Sequence, residues 1–280
     1  MKKLILILLF ISLSMNLFAS QKIHFSVDDV IGCFENLTKN EGKYNSAFDE
    51  PFFAYIKSLR EKYNVKVSLY CFYEKEGFSL KDCTEKFADD FKASSGWLKF
   101  GFHAEKSGNV KNFNRGGSDY KMFVNQIERI TGTSDCIAKT VRLDYFSGDK
   151  KFIEAITDKS SKNGIRQLLC ADSSNRYSYY LDEIQKTELN KNELLFADDL
   201  IFVKTDFRFD DVKNFRRLFY ENKDESEVVV FTHEWLLEPA KRKNVFKYFL
   251  QLLNSRKIKF NINRFFEYYT GKDCEYVFEF

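Results

Sequence analysis

Ile23-His24-Phe25-Ser26-Val27-Asp28-Asp29 reads as a short β-type run that ends in two neighbouring carboxylates. Far along the chain, Glu227–Thr232 is a strongly apolar strand that runs into His233-Glu234-Trp235. Between these two stretches strand-like and helix-like runs alternate. Asp49–Tyr63 has helical spacing (Phe52, Phe53, Ile56, Leu59, Tyr63), with Asp49 as its N-cap and Pro51 in the first turn. Val65–Tyr73 is rich in β-branched and aromatic residues, and Leu98–Phe102 is a strand that leads into His103. Ser118–Ile130 repeats apolar residues at helical spacing and stops at Gly132. Lys139–Arg142 reads as a strand, Lys150–Lys162 as a helix closed by Gly164, and Ile165–Cys170 as a strand. Leu200–Lys204 is a strand, Val212–Glu221 a helix, Pro239–Asn254 a helix and Ile258–Phe260 a final strand.

Strands separated by helical runs of this length specify βαβ units around a parallel sheet. About seven such units favour a distorted (β/α)7-type barrel in an α/β domain over an open doubly wound sheet. No Gly-rich phosphate loop follows the first strand, which argues against dinucleotide binding. Residues 21–280 contain no repeat and no linker, so they are expected to form one domain, with an irregular insertion and small hairpin over 172–199.

The composition agrees with a packed core. The 280 residues are 44% hydrophobic and 30% charged, with only 12 Gly and 2 Pro, which excludes disordered and fibrous classes. The net charge of +3 includes Lys2 and Lys3. So balanced a chain lacks the electrostatic footprint of a nucleic-acid binder. Met1-Lys2-Lys3, the apolar run Leu4–Leu13 and Leu17-Phe18-Ala19-Ser20 have the layout of a secretory signal over residues 1–20. The apolar run is shorter than a bilayer span, so cleavage, export to the periplasm or exterior, and no stable membrane insertion afterwards are expected. Six cysteines lie far apart with no CxxC pair, so neither a zinc ribbon nor a redox motif is present. Cys71 with Cys83 would close a short loop if oxidised, but Cys71 and Cys170, inside apolar runs, read as core thiols.

In (β/α) barrels reactive groups gather at the C-terminal ends of the strands. Those ends carry Asp28-Asp29, His103 with Glu105, Arg142 with Asp144, Asp172, and His233 with Glu234. The chain has only three His, and the third, His24, reads as a buried structural residue within the first strand. Two adjacent carboxylates and distant imidazoles are what a metal-dependent hydrolase needs. One carboxylate and a His hold the ion while the other carboxylate takes a proton from water.

Ser26-Val27-Asp28-Asp29-Val30 resembles the Thr-Phe-Asp-Asp-Gly motif of polysaccharide deacetylases, the NodB-homology carbohydrate esterases. Gly101-Phe102-His103 resembles the start of that family's His-(Ser/Thr)-x-x-His motif. Arg142 falls where the family's third motif carries its Arg, and Thr232-His233-Glu234 resembles its terminal His motif. The resemblance implies a metal-dependent deacetylase acting on a polysaccharide or cell-wall glycan. Asp28 would be its general base, with Arg142 orienting it and holding it ionised. Asp29 and His103 would ligate a divalent metal, zinc foremost, and His233 would be the general acid, oriented by Asp172. Trp235 would either wall the acetyl or sugar site or pack in the core. Three positions depart from the family: Ser107 stands where a second His ligand is wanted, Val30 replaces Gly, and Leu143-Asp144 follows Arg142 in place of Pro. Glu105, Asp144 and Asn109 are the candidates to replace the missing ligand.

Two other readings accommodate the same residues. One is a catalytically silent glycan-binding relative with Tyr73, Tyr145, Trp235 and the Tyr177–Tyr180 cluster as sugar platforms. The other is a two-carboxylate glycoside hydrolase using Asp28 or Asp29 with Glu234, which requires a separation of about 5–10 Å. Lys241-Arg242-Lys243 is read as a solvated face, and Phe265, Phe266, Phe278 and Phe280 as closing the bottom of the domain.

Overall fold

The structure is a computed structural model that describes residues 20–108, 117–157, 164–173, 176, 178–239, 244–272 and 274–279. The expected leader, Asn109, Tyr177, Lys241–Lys243 and Phe280 therefore lie outside the described residues.

In chain order, β1 is Gln21–Val30, α1 Gly32–Lys39, α2 Pro51–Tyr63, β2 Val67–Phe72, β3 Glu74–Lys75 and β4 Phe78–Ser79. Then follow α3 Ala88–Ala93, β5 Leu98–Ala104, α4 Ser118–Thr131, β6 Thr140–Val141, α5 Lys150–Ile156, β7 Gln167–Leu169 and α6 Glu183–Asn192. The last elements are β8 Leu194–Ala197, β9 Leu200–Val203, β10 Phe207–Arg208, α7 Phe215–Asn222, β11 Glu227–His233, α8 Glu234–Leu237, α9 Val245–Tyr269 and β12 Cys274–Val277.

β1 organises the larger sheet. It is parallel to β11 from Lys22 to Asp28, and its other edge is shared between β12 (at Gln21–His24) and β2 (at Ser26, Val27 and Val30). Paired on both edges, and buried on both faces from Ile23 to Asp28, it reads as a continuous run rather than an alternating one. The order is β10-β11-β1-β2-β5, all parallel, with β12 beside β1. A second sheet runs β6-β7-β9-β8, antiparallel only at β8–β9. The two sheets meet at a parallel bridge between Phe100 and Ile137 and at a 2.6 Å hydrogen bond between the hydroxyls of Tyr70 and Thr140. The Tyr70 ring lies 2.5 Å from where a Cβ at position 101 would sit, so the backbone there admits only Gly101. The result is one α/β domain with a parallel sheet.

Several expected elements are present with shifted ends. Gly132 closes α4 in the left-handed conformation (φ 67°), as its position implies. Pro51 is in the first turn of α2, but the cap is Glu50, whose carboxylate accepts from the backbone N–H groups of Phe52 and Phe53. Asp49 instead closes a preceding 3-10 turn capped by Ser46. The segment 172–199 holds α6 as well as the first arm of the β8–β9 hairpin. The largest correction concerns the C-terminus. One 25-residue helix, α9, covers Ile258–Phe260, and the final strand is β12. Ile258 and Ile262, four apart, are buried with Phe265, Phe266 and Tyr269, so the helical period overrides the local β-branched cluster. Phe25 lies edge-on to Phe209 and Phe266, which joins that helix face to the underside of β1. All six cysteines are free thiols, five of them buried, so Cys71 and Cys170 are core residues as read.

Burial pushes the carboxyls of Glu50 and Asp206 up to about 7, above the ordinary range for their types. Such groups keep a proton in the folded chain that they release when unfolded. Their contribution to stability is present at low pH and is lost as pH rises through about 7. In urea denaturation, Glu50→Gln should therefore gain on the wild type by about 1–2 kcal/mol between pH 5 and pH 8. Parallel pH profiles for the two proteins would contradict this.

Candidate functional site

Register explains why the reactive groups meet. In the β1–β11 pairing Asp28 lies directly opposite His233, so a strand-end carboxylate and a strand-end imidazole are neighbours by backbone hydrogen bonding alone. Strict alternation would send Asp29 to the other face of the sheet. The β1–β2 register instead shifts between Val27 and Val30, and Asp29 takes a left-handed backbone (φ 61°). This break turns both carboxylates into one cavity. Val30 is fully buried and paired with Cys71, and the left-handed residue is Asp29, so no glycine is needed at position 30. The β2–β5 register shifts in the same way between Cys71 and Phe72, next to His103.

The cavity has a volume of about 190 Å³, and its lining includes Asp28, Asp29, His103, Arg142, Asp144 and His233. On one wall, His103 Nε2 lies 3.3 Å from Asp29 Oδ1 and 3.8 Å from Asp144 Oδ1. One donor atom from each of the three residues falls within 4.8 Å of the others. His103 Nδ1 meets the backbone carbonyl of Arg142, which places the proton on Nδ1 and turns Nε2 toward the carboxylates. Trp235 Nε1 donates to Asp29 Oδ2 at 2.8 Å, and the Gly108 N–H donates to Asp144 Oδ2 at 3.0 Å. Each carboxylate thus has one oxygen fixed by the protein and the other facing His103. Burial alone would lower the pKa of His103, but the hydrogen bond to Asp29 and the surrounding carboxylates raise it to about 9. One imidazole nitrogen and two carboxylate oxygens, so arranged, fit a divalent cation.

Arg142 forms the floor. Its buried guanidinium donates to Ser26 Oγ at 2.6 Å, Asp28 Oδ1 at 3.2 Å and Thr205 Oγ1 at 3.3 Å, and it lies 4.2 Å above the Phe231 ring. The expected charge pair with Asp28 is therefore present. Burial nevertheless pushes the Asp28 carboxyl above its ordinary range, with Arg142 the largest opposing influence. On the far wall, His233 Nδ1 lies 3.4 Å from Asp210 Oδ2. Burial would lower the pKa of His233, but the contact with Asp210 raises it.

Several expected placements change. Asp172 does not reach His233; its carboxylate pairs with Arg176 at 3.0 Å, and Asp210 takes the orienting place. Asp210 follows β10, whose two residues are too short to read as a strand. Of the two described candidates for the missing ligand, Glu105 and Asp144, Asp144 is the one that converges with Asp29 and His103. Ser107 lines the same cavity. Glu234 is buried and accepts from the N–H groups of Ile31, Gly32 and Cys33 at the start of α1. It is a structural brace with no free oxygen for glycosidase chemistry. Trp235 is half exposed and hydrogen-bonded to Asp29, so it belongs to the site and not to the core. Tyr73 and Tyr179 are buried, which removes them as sugar platforms, whereas Tyr145 is exposed on the cavity lining. His24 is wholly buried and driven to a pKa of about 3 by burial, a neutral structural residue as read.

No family model and no curated protein sequence matches the chain. Among solved structures, the 4-alpha-glucanotransferase from Thermococcus litoralis is similar with a TM-score of 0.55 and 12% identity, over 92% of this chain and 39% of that one. The chain thus spans about two fifths of the length of that structure. A "putative polysaccharide deacetylase" from Mycobacterium smegmatis has a TM-score of 0.43 and 10% identity, over 86% of this chain and 87% of that one. At this identity the first likeness is one of fold alone, and the second is too loose to support an inference.

Removing one partner of a buried ion pair leaves an uncompensated charge, at a cost of about 3–5 kcal/mol. Arg142→Met is expected to lose that much in urea denaturation. Combining it with Asp28→Asn should cost less than the two single losses added together. Additive losses would mean that the two residues do not act as a pair.

Proposed function

We propose that this chain is an exported, metal-dependent hydrolase that removes acetyl groups from a polysaccharide or cell-wall glycan. We further propose that its sheets form a distorted (β/α) barrel. The Phe100–Ile137 bridge and the direct run of chain from β9 into β10 support that closure. The observation that carries the functional reading is the shared cavity, where Asp29, His103 and Asp144 face one another while Asp28 and His233 stand side by side. The substrate class rests on the motif resemblance at residues 26–30, 101–103, 142 and 232–234, and export rests on the leader.

Asp29, His103 and Asp144 would hold the ion, with zinc favoured by the mixed nitrogen and oxygen donors. When bound, a divalent cation polarises a carbonyl and acidifies water. The remaining steps fall to the side chains. Asp28, beside the cavity and raised by burial, is the base that takes a proton from the attacking water. Arg142 positions it and offsets its charge. His233, held by Asp210 and raised in pKa by it, carries a proton to the departing nitrogen or oxygen. One water is consumed, the C–N or C–O bond to the acetyl group breaks, and acetate leaves.

Asp144, as a candidate third donor, supports this reading over that of a silent glycan binder, whose motive was a missing ligand. The test is acetate release from N- and O-acetylated glycans by the purified full chain supplied with zinc. Asp28→Asn should lower release by about 10²–10⁴-fold with metal content unchanged. His103→Ala should lose both metal and release. A wild type that holds metal yet frees no acetate from any of these glycans would overturn the deacetylase reading.

A further inference from the structure

The first three turns of α9 do not bury the apolar residues they carry. Buried positions begin only at Ser255 and continue through Ile258, Ile262, Phe265 and Phe266. On the opposite side, Phe246, Phe249, Leu250, Leu253 and Phe260 follow i, i+3, i+4, i+7 spacing and are between 37% and 69% exposed. An outward apolar stripe this long is unusual on a monomer surface and marks a contact site. The same stretch has an extreme charge pattern: from residue 239 to residue 266 there are eight Lys or Arg and no Asp or Glu. Lys247, Arg256, Lys257 and Arg264 are exposed on the helix, and among the described residues Lys259 is the one helix cation engaged by a carboxylate outside it, that of Glu238. The first acid beyond the stretch, Glu267, is shared between Lys62 and Arg264.

We propose that the exposed face of α9 is a peripheral docking surface for an anionic lipid membrane. Aromatic and aliphatic side chains on one face, flanked by Lys and Arg whose apolar stems can lie along the boundary, are the features of a helix that rests in the headgroup plane. The charge selects this occupant over a second copy of the chain, because a symmetric pairing of two such faces would bring two acid-free basic segments together. No described helix is long and apolar enough to cross a bilayer, so the contact is one of lying on the membrane.

The experiment is sedimentation of the full chain with vesicles of phosphatidylcholine alone and of equal phosphatidylcholine and phosphatidylglycerol. The wild type is compared with the double variant F249E and L253E, so any contribution of the residues before Ser20 is common to both. Because these positions are exposed, the melting curve of the variant should match the wild type. The wild type should bind the anionic vesicles, bind them less as salt rises, and bind at least tenfold more than the variant. A second variant, K247Q with K257Q, should weaken binding to anionic vesicles and leave that to neutral ones unchanged. Absence of binding, or binding that is equal on both vesicles and untouched by either variant, would overturn the proposal. So would self-association that the first variant abolishes in the absence of vesicle binding.

Discussion

A buried guanidinium needs partners, and those that the two terminal nitrogens of Arg142 find set most of this site. Its side chain leaves the end of β6 in the smaller sheet and reaches Ser26 and Asp28 on β1 in the larger one. Thr205, between β9 and β10, takes its other terminal nitrogen, and Phe231 covers its face. Its backbone carbonyl meanwhile fixes the ring of His103. One residue therefore sets the position of the Asp28 carboxylate and the orientation of the His103 ring while tying the two sheets together. A buried pair of this kind adds little net stability, since desolvation offsets most of the attraction. What it supplies is placement.

The second constraint is backbone. Consecutive side chains on a strand diverge, so a site built from neighbours needs a break. The left-handed backbone of Asp29 provides one at the end of β1, and its carboxylate meets that of Asp144 at the same imidazole. Such conformations are disfavoured for residues with a Cβ and persist where surroundings hold them. At Asp29 the indole N–H of Trp235 holds the carboxylate, and the Gly108 N–H holds that of Asp144.

Much of this could be read from the residues. Strand ends rich in acids and imidazoles pointed to Asp28, Asp29, His103, Arg142 and His233, and all five line the cavity. What escaped the reading was set by tertiary geometry. Asp210 follows a two-residue strand that leaves no periodic signal, and the family resemblance implied Asp172 in its place. That Asp144 and not Glu105 meets Asp29 and His103 depends on tertiary placement that no spacing rule encodes. Ile258–Phe260 looked like a strand because three residues are too few to reveal the helical period that Ile262, Phe265 and Phe266 make plain.

The claim on which the functional account turns is that Asp29, His103 and Asp144 form a cation site. X-ray diffraction from crystals of the full chain grown with zinc, recorded at the zinc absorption edge, tests it most directly. The account predicts a single anomalous peak about 2.0–2.2 Å from His103 Nε2 and from one oxygen each of Asp29 and Asp144. A peak bound elsewhere, with this cavity holding none, would contradict it.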